Sequence, residues 1–218
     1  MDENAVAQLP GQPGVNRPAG GQEHGHGLTA AVVQPADTPL NERGKRQAQL
    51  LANRLAELEV THVVASDLAR AAMTAEPIVR ATSAQIEHTP LLQERNFGDI
   101  HGTPYAQLDF DIFARGYQPP NGEDGDAFDR RVFEAWNHVL EARRRLKGNL
   151  AVVTHGLVCR SILEQFLELP PDMLPPELFS NSGLTIVEQA APHRVQLINC
   201  VAHLDQTTAN EGSVSAQV

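Results

Sequence analysis

The chain has 218 residues, 41% of them apolar, and 17 basic against 27 acidic side chains leave a net charge of −10. That length can bury one sizeable core without calling for a second domain, and the acidic balance argues against a general nucleic-acid or anionic-membrane surface while leaving room for a local basic pocket. Cys159 and Cys200 offer neither a disulfide framework nor metal-ligand spacing, no apolar run approaches a membrane span and no signal-peptide profile opens the chain, so the expected setting is the cytoplasm.

The first 29 residues hold six of the 16 glycines and three prolines, the composition of a flexible or atypical segment in which little ordered structure is expected. Its end, Glu23-His24-Gly25-His26-Gly27, contains a His-x-His pair that some metal hydrolases place after their first strand. No strand pattern precedes this one, so no metal site is expected.

Regular patterning starts after Gln34. Asp37-Thr38-Pro39-Leu40-Asn41 is turn-rich, and Ala48, Leu51, Leu55 and Leu58 mark one face of a helix over about 42–58. The valine-rich run from Val60 to Ala65 reads as a buried strand, with Ser66 and Asp67 offering side-chain oxygens to cap a helix beginning near Leu68. Arg70 falls in the first turn of that helix, where a guanidinium opposes the helix dipole; an anion bound at the terminus would account for it. Pro77 should kink or shorten the helix.

Gln85 to His88 reads as a short strand, and Thr103-Pro104 as the start of a short helix. Between them Glu94 lies among apolar residues ahead of a glycine-marked loop, a setting for a partly desolvated acid. Pro119 to Gly125 is a loop; Phe128, Val132, Trp136, Val139 and Leu140 then define a long amphipathic helix. It ends in Arg143-Arg144-Arg145, positive charge that complements the helix C-terminus and reads as structural.

The most informative stretch runs from Asn149 to Leu163. Leu150 to Val153 is an apolar run, Thr154-His155-Gly156 comes next without a spacer, and Val158, Ile162, Leu163, Phe166 and Leu167 recur at helical spacing. A strand, a sharp turn and a helix in this order lie at the carboxyl edge of an α/β sheet, with the helix N-terminus aimed at whatever binds there. His155 is therefore placed to face an anion, and Gly156 permits close approach. Leu157 in place of a lysine excludes a P-loop, and no Gly-x-Ser-x-Gly is present to suggest a serine hydrolase. Pro170 to Pro176 reads as a linker, Leu184 to Val187 and Val195 to Ile198 as strands, and residues 205–218 as a disordered tail.

Several stretches, taken in order, resemble one family: Asp-Thr-Pro-Leu-Asn-Glu-Arg-Gly (37–44), Ser-Asp-Leu-Ala-Arg (66–70), Leu-Gln-Glu-Arg-Asn-Phe-Gly (92–98), Pro-Pro-Asn-Gly-Glu-Asp (119–124), Val-Val-Thr-His-Gly (152–156) and Asn181-Ser182. They are similar to the histidine phosphatase superfamily, which includes cofactor-dependent phosphoglycerate mutases. The resemblance implies an α/β three-layer sandwich with a mostly parallel central sheet over residues 30–204. It also implies phosphoryl transfer through a phosphohistidine on a small phosphorylated metabolite, with no metal or other cofactor. By the same resemblance His155 is the phosphate-binding histidine, Arg70 a pocket arginine, Gly156 part of the substrate-binding turn and Glu94 the proton donor to the leaving alkoxide.

The departure is at the start. Family members open with an apolar strand running into Arg-His-Gly, which supplies the nucleophile, and residues 1–33 do not reproduce it. His24 and His26 are the nearby substitutes. Two functions are compatible with this pattern: a metal-independent phosphomonoesterase or mutase, or a catalytically inactive relative that binds a phosphorylated ligand or protein partner. Because that opening strand is central in such a sheet, the expectation is either that residues before Gln34 supply a substitute strand or that the recombinant chain is poorly soluble.

Overall fold

The structure, a computed structural model, describes residues 3–8, 33–114 and 116–204. In chain order these form β1 (Glu3–Gln8), α1 (Glu42–Ala56), β2 (Val60–Ser66), α2 (Ala69–Thr82), β3 (Gln85–Thr89), α3 (Gly125–Arg144), β4 (Asn149–Thr154), α4 (Gly156–Phe166), β5 (Leu184–Glu188) and β6 (Val195–Cys200). The strands make one sheet in the order β3-β2-β4-β1-β5-β6. The first four of that order are parallel; β5 runs antiparallel to β1, and β6 antiparallel to β5.

Alternation along the strands divides the core into two layers, as a period of two requires. Val63, Ala65, Ala151, Val153, Leu184 and Ile186 face α1 and α2, packing on Leu51, Leu55, Ala71, Ala75 and Ile78. Val64, Leu150, Val152 and Val187 face the other way, onto Val132, Trp136 and Val139 of α3 and Val158 and Ile162 of α4. The result is the three-layer α/β sandwich with a mostly parallel sheet that the sequence led us to expect.

The expectation of little order in the first 29 residues is corrected at Glu3–Gln8. This segment is β1, in the middle of the sheet, paired with β4 from Asn4↔Leu150 to Gln8↔Thr154 and with β5 from Glu3↔Glu188 to Ala7↔Leu184. It is the replacement strand. A ladder on both sides satisfies both neighbours' backbone groups, which would otherwise cost about 1–3 kcal/mol for each buried group left unpaired.

Smaller corrections concern helix ends. The first helix stops at Ala56 rather than Leu58, after starting where Asn41 Oδ1 accepts from Gly44 N at 2.8 Å. The next helix has no side-chain cap: Ser66 Oγ accepts from Leu68 N at 3.3 Å, ahead of the helix, and Asp67 Oδ1 accepts instead from Gln93 Nε2 at 2.7 Å. Pro77 is buried within α2, which continues to Thr82. The short helix after Thr103-Pro104 is a single 3₁₀ turn, Tyr105–Gln107.

Candidate active site

Three parallel strands end side by side at one edge. β2 stops at Ser66, β3 at Thr89 and β4 at Thr154, with Ser66 level with Thr89 and Ala65 with Val153. Each leads into a turn that swings a polar residue over this edge. After β4 the residue is His155, extended at φ −117° and ψ 168°, the N-cap of α4. The residue is 3% exposed, and its Nε2 lies 2.9 Å from Ser66 Oγ. Burial, then the positive charges of Arg70 and Arg131, holds the imidazole pKa well below its ordinary value. The ring is therefore neutral at pH 7 while no anion is present.

After β2 the residue is Arg70, in the first turn of α2 and 4% exposed. Its Nη1 donates to the carbonyls of Pro35 and Ala36, both at 3.2 Å, which fixes the incoming chain against the site. Burial pulls the guanidinium pKa down, and Glu94 pulls it back up.

After β3 the chain turns through Pro90–Leu92 and reaches Glu94, half-buried, whose carboxylate lies on the N-terminus of α4. Oε2 accepts from Leu157 N at 3.2 Å and Oε1 from Arg95 N at 3.0 Å. Burial raises the Glu94 pKa, against the lowering effect of those two N–H groups, Arg70 and Arg131. Opposing influences of this kind keep an acid poised to hold a proton above the usual carboxylate range.

The structure thus brings His155, Gly156, Arg70 and Glu94 into one neighbourhood. His24 and His26 lie outside the described residues. Among the described residues no cluster of three or more His, Cys, Asp or Glu side chains is arranged to hold a metal ion. No helix there is long and apolar enough to cross a membrane.

Sequence reasoning missed the groups that hold Glu94 in place. Arg131 on α3 donates to Leu91 O at 2.9 Å, to Gln93 O at 2.7 Å and to Glu94 O at 3.4 Å. It also grips Glu123 in a fork, Nε to Oε1 at 2.9 Å and Nη2 to Oε2 at 2.7 Å. Thr154 Oγ1 donates to Leu92 O at 2.8 Å from the other side. Arg95, 7% exposed, donates to Glu123 O and Tyr117 O and lies over the Phe97 ring. A local signal for Arg131 existed: it stands three residues after Phe128, on the apolar face of its helix, where a charged side chain needs a partner.

Fold and site define a phosphoglycerate mutase-like α/β protein whose carboxyl sheet edge gathers an imidazole, a guanidinium and a carboxyl around a helix N-terminus. The chain belongs to the histidine phosphatase superfamily (branch 1), whose sequence pattern matches residues 25–200. It is 29% identical over 191 residues to "Probable phosphoglycerate mutase GpmB" of Yersinia enterocolitica, covering 81% of this chain and 88% of that protein. Among solved structures, Bacillus stearothermophilus YhfR superposes with a TM-score of 0.70 at 23% identity, covering 93% of this chain and 100% of that one. A mycobacterial glucosyl-3-phosphoglycerate phosphatase solved with inorganic phosphate gives 0.69 at 21% identity, covering 94% and 100%. The matched family region begins at residue 25, so β1 lies ahead of it.

Proposed function

We propose that this chain binds the phosphoryl group of a small phosphorylated metabolite at the edge formed by His155, Arg70 and the first turn of α4, and acts there as a metal-independent phosphomonoesterase. One observation carries the reading: two groups 85 residues apart in sequence, Arg70 in the first turn of α2 and His155 at the N-cap of α4, are both buried and interact electrostatically. Burying a guanidinium beside an imidazole is unfavourable unless an anion joins them. Phosphoryl transfer needs charge on the phosphate oxygens neutralised and the reacting groups positioned, which a guanidinium, an imidazole and helix N–H groups supply. In the phosphohistidine route an imidazole nitrogen attacks phosphorus, Glu94 gives its proton to the departing alkoxide, and water then hydrolyses the P–N bond. His24 or His26 is the candidate nucleophile.

A second reading, a relative that binds phosphate esters without transferring the phosphoryl group, is favoured by a specific observation. β1 ends at Gln8, level with Thr154, and the sequence continues Leu9-Pro10-Gly11, none of which carries a nucleophilic side chain. Turnover of an aryl phosphate in the presence of a chelator, alongside calorimetric binding of inorganic phosphate, separates the two. Metal-independent turnover lost in H155A and in a H24A/H26A double variant supports the enzyme. Phosphate binding lost in H155A, with no turnover in the parent chain, supports the binder; the absence of both refutes the site.

A further inference from the structure

The segment that leads away from Glu94 is unusually aromatic. Residues 97–117 contain Phe97, Tyr105, Phe110, Phe113 and Tyr117, five of the ten aromatic residues in the chain. Three of them form a connected group: Phe97 and Phe113 meet edge to face at 5.9 Å between centroids, and Tyr105 stacks on Phe113 at 6.5 Å and 27°. Phe97 is 5% exposed, whereas Phe113 is 52% exposed, so the group has a buried root and an open outer ring.

This aromatic group is built onto the site from several directions. Leu157, whose N–H meets the Glu94 carboxylate, packs against the cluster of Val33, Phe97 and Ile112 to which Tyr105 also belongs. The strand-like contact of Val33 with Gly102 and Thr103 (2.7 and 3.0 Å) ties the segment to the chain just before Pro35 and Ala36, the acceptors of Arg70. Arg95, next to Glu94, covers the Phe97 ring at 5.2 Å. Consistent with this placement, burial and the charge of Glu94 together raise the Tyr105 phenol pKa. Arg95 is engaged by the carbonyls of Glu123 and Tyr117, and the segment 96–122 beyond it carries Asp99, Asp109 and Asp111 against one further arginine and no lysine, which disfavours a second anionic group on the ligand.

Resting on the phosphate-binding reading above, we infer that Tyr105, Phe113 and Phe97, with Leu157 at their base, receive the alcohol half of the phosphomonoester, and that this half is a flat, uncharged aromatic group rather than a carboxylated sugar acid. A half-exposed ring costs contact with water that a stacked aryl group removes, and ring pairing adds to the burial. Tyr105 and Phe113 are specificity-determining residues in this account, with no part in bond making.

Calorimetry on the full chain with ligands that cannot be hydrolysed tests it: methylphosphonate, naphthylmethylphosphonate and a carboxylated analogue, 3-phosphonopropionate. The naphthyl compound should bind about tenfold tighter than methylphosphonate, the gain expected of one well-stacked ring, and the carboxylated analogue should gain nothing. In F113A and Y105A the naphthyl advantage should shrink to less than about threefold while methylphosphonate affinity is unchanged; F133A, at another half-exposed ring, should keep it. Failure of methylphosphonate to bind removes the phosphate site itself and the inference with it. Methylphosphonate binding with no naphthyl advantage, an advantage that survives F113A and Y105A, or tighter binding of the carboxylated analogue overturns the inference alone.

Discussion

Removing Arg131 tests how the acid of the site is held. Its fork on Glu123 is about four-fifths buried, with side-chain exposures of 19% and 15%, and the same guanidinium satisfies the carbonyls of Leu91, Gln93 and Glu94. Breaking a buried ion pair by deleting one partner costs about 3–5 kcal/mol, because the remaining carboxylate stays desolvated. A domain of ordinary stability has about 5–15 kcal/mol in all. R131M should therefore lower the urea midpoint by at least about 1 M, given slopes of about 1–3 kcal/mol/M. Deleting both partners together, in R131M/E123Q, should recover part of the loss, since no carboxylate is then stranded. R131K, which keeps the charge without the planar fork, should fall between parent and R131M. Inorganic phosphate should bind R131M several-fold more weakly even at temperatures where the variant is fully folded, since the loop that presents Glu94 has lost its anchor. A midpoint within about 0.3 M of the parent, or additive effects of R131M and E123Q, would refute the reasoning.

The same geometry bears on pH dependence and on the loop backbone. Glu94 has a folded pKa raised above its ordinary 4.5, so the native state binds the extra proton and stability falls as pH rises from about 4.5 through the folded value; urea midpoints of E94Q should show a smaller fall over that window, and a pH-independent difference from the parent would count against a raised pKa. His155 has a folded pKa below its ordinary 6.5, and an arriving phosphate dianion reverses that shift; near pH 6 the phosphate monoanion loses a proton as it binds and the imidazole takes one up, so calorimetry in buffers of different ionisation enthalpy should register more net proton release with H155Q than with the parent. Gly98 sits at φ +54°, where a Cβ would meet the backbone of residues 120–122, so G98A should cost about 1–3 kcal/mol from the conformation alone and more from the clash, read as a lowered denaturation midpoint.

The elements legible from sequence were those whose own side chains carry the period. α1, α3 and α4 have apolar stripes that match their buried faces, and β2 and β4 are valine-rich because both of their faces are covered. His155 and Arg70 were legible for a related reason: each is fixed by its distance from the end of a strand. β1 was not, because Glu3, Asn4 and Gln8 leave only Ala5-Val6-Ala7 as an apolar signal, and the pairing that makes it a strand comes from β4 and β5. Arg131 and Arg95 were hidden differently. Their backbone acceptors lie 37–40 and 22–28 residues away, so no local pattern names those partners.

β1 also separates two requirements that a strand of this kind ordinarily meets together. Completing a sheet takes only backbone N–H and C=O groups in register, and Glu3–Gln8 provides them to β4 and β5. Supplying a nucleophile takes a particular side chain at the carboxyl end, where this sequence reads Gln8-Leu9-Pro10. The groups assembled around the α4 N-terminus come instead from β2 and α2, from the loop after β3, and from β4, all on the other side of the sheet order from β5 and β6. Among the described residues, their positions are set by contacts among themselves, with the carbonyls of Pro35 and Ala36 and with α3. Under the proposed function, phosphate affinity and phosphoryl transfer are separable: the first rests on Arg70, His155 and the first turn of α4, the second on whether an imidazole reaches the same edge.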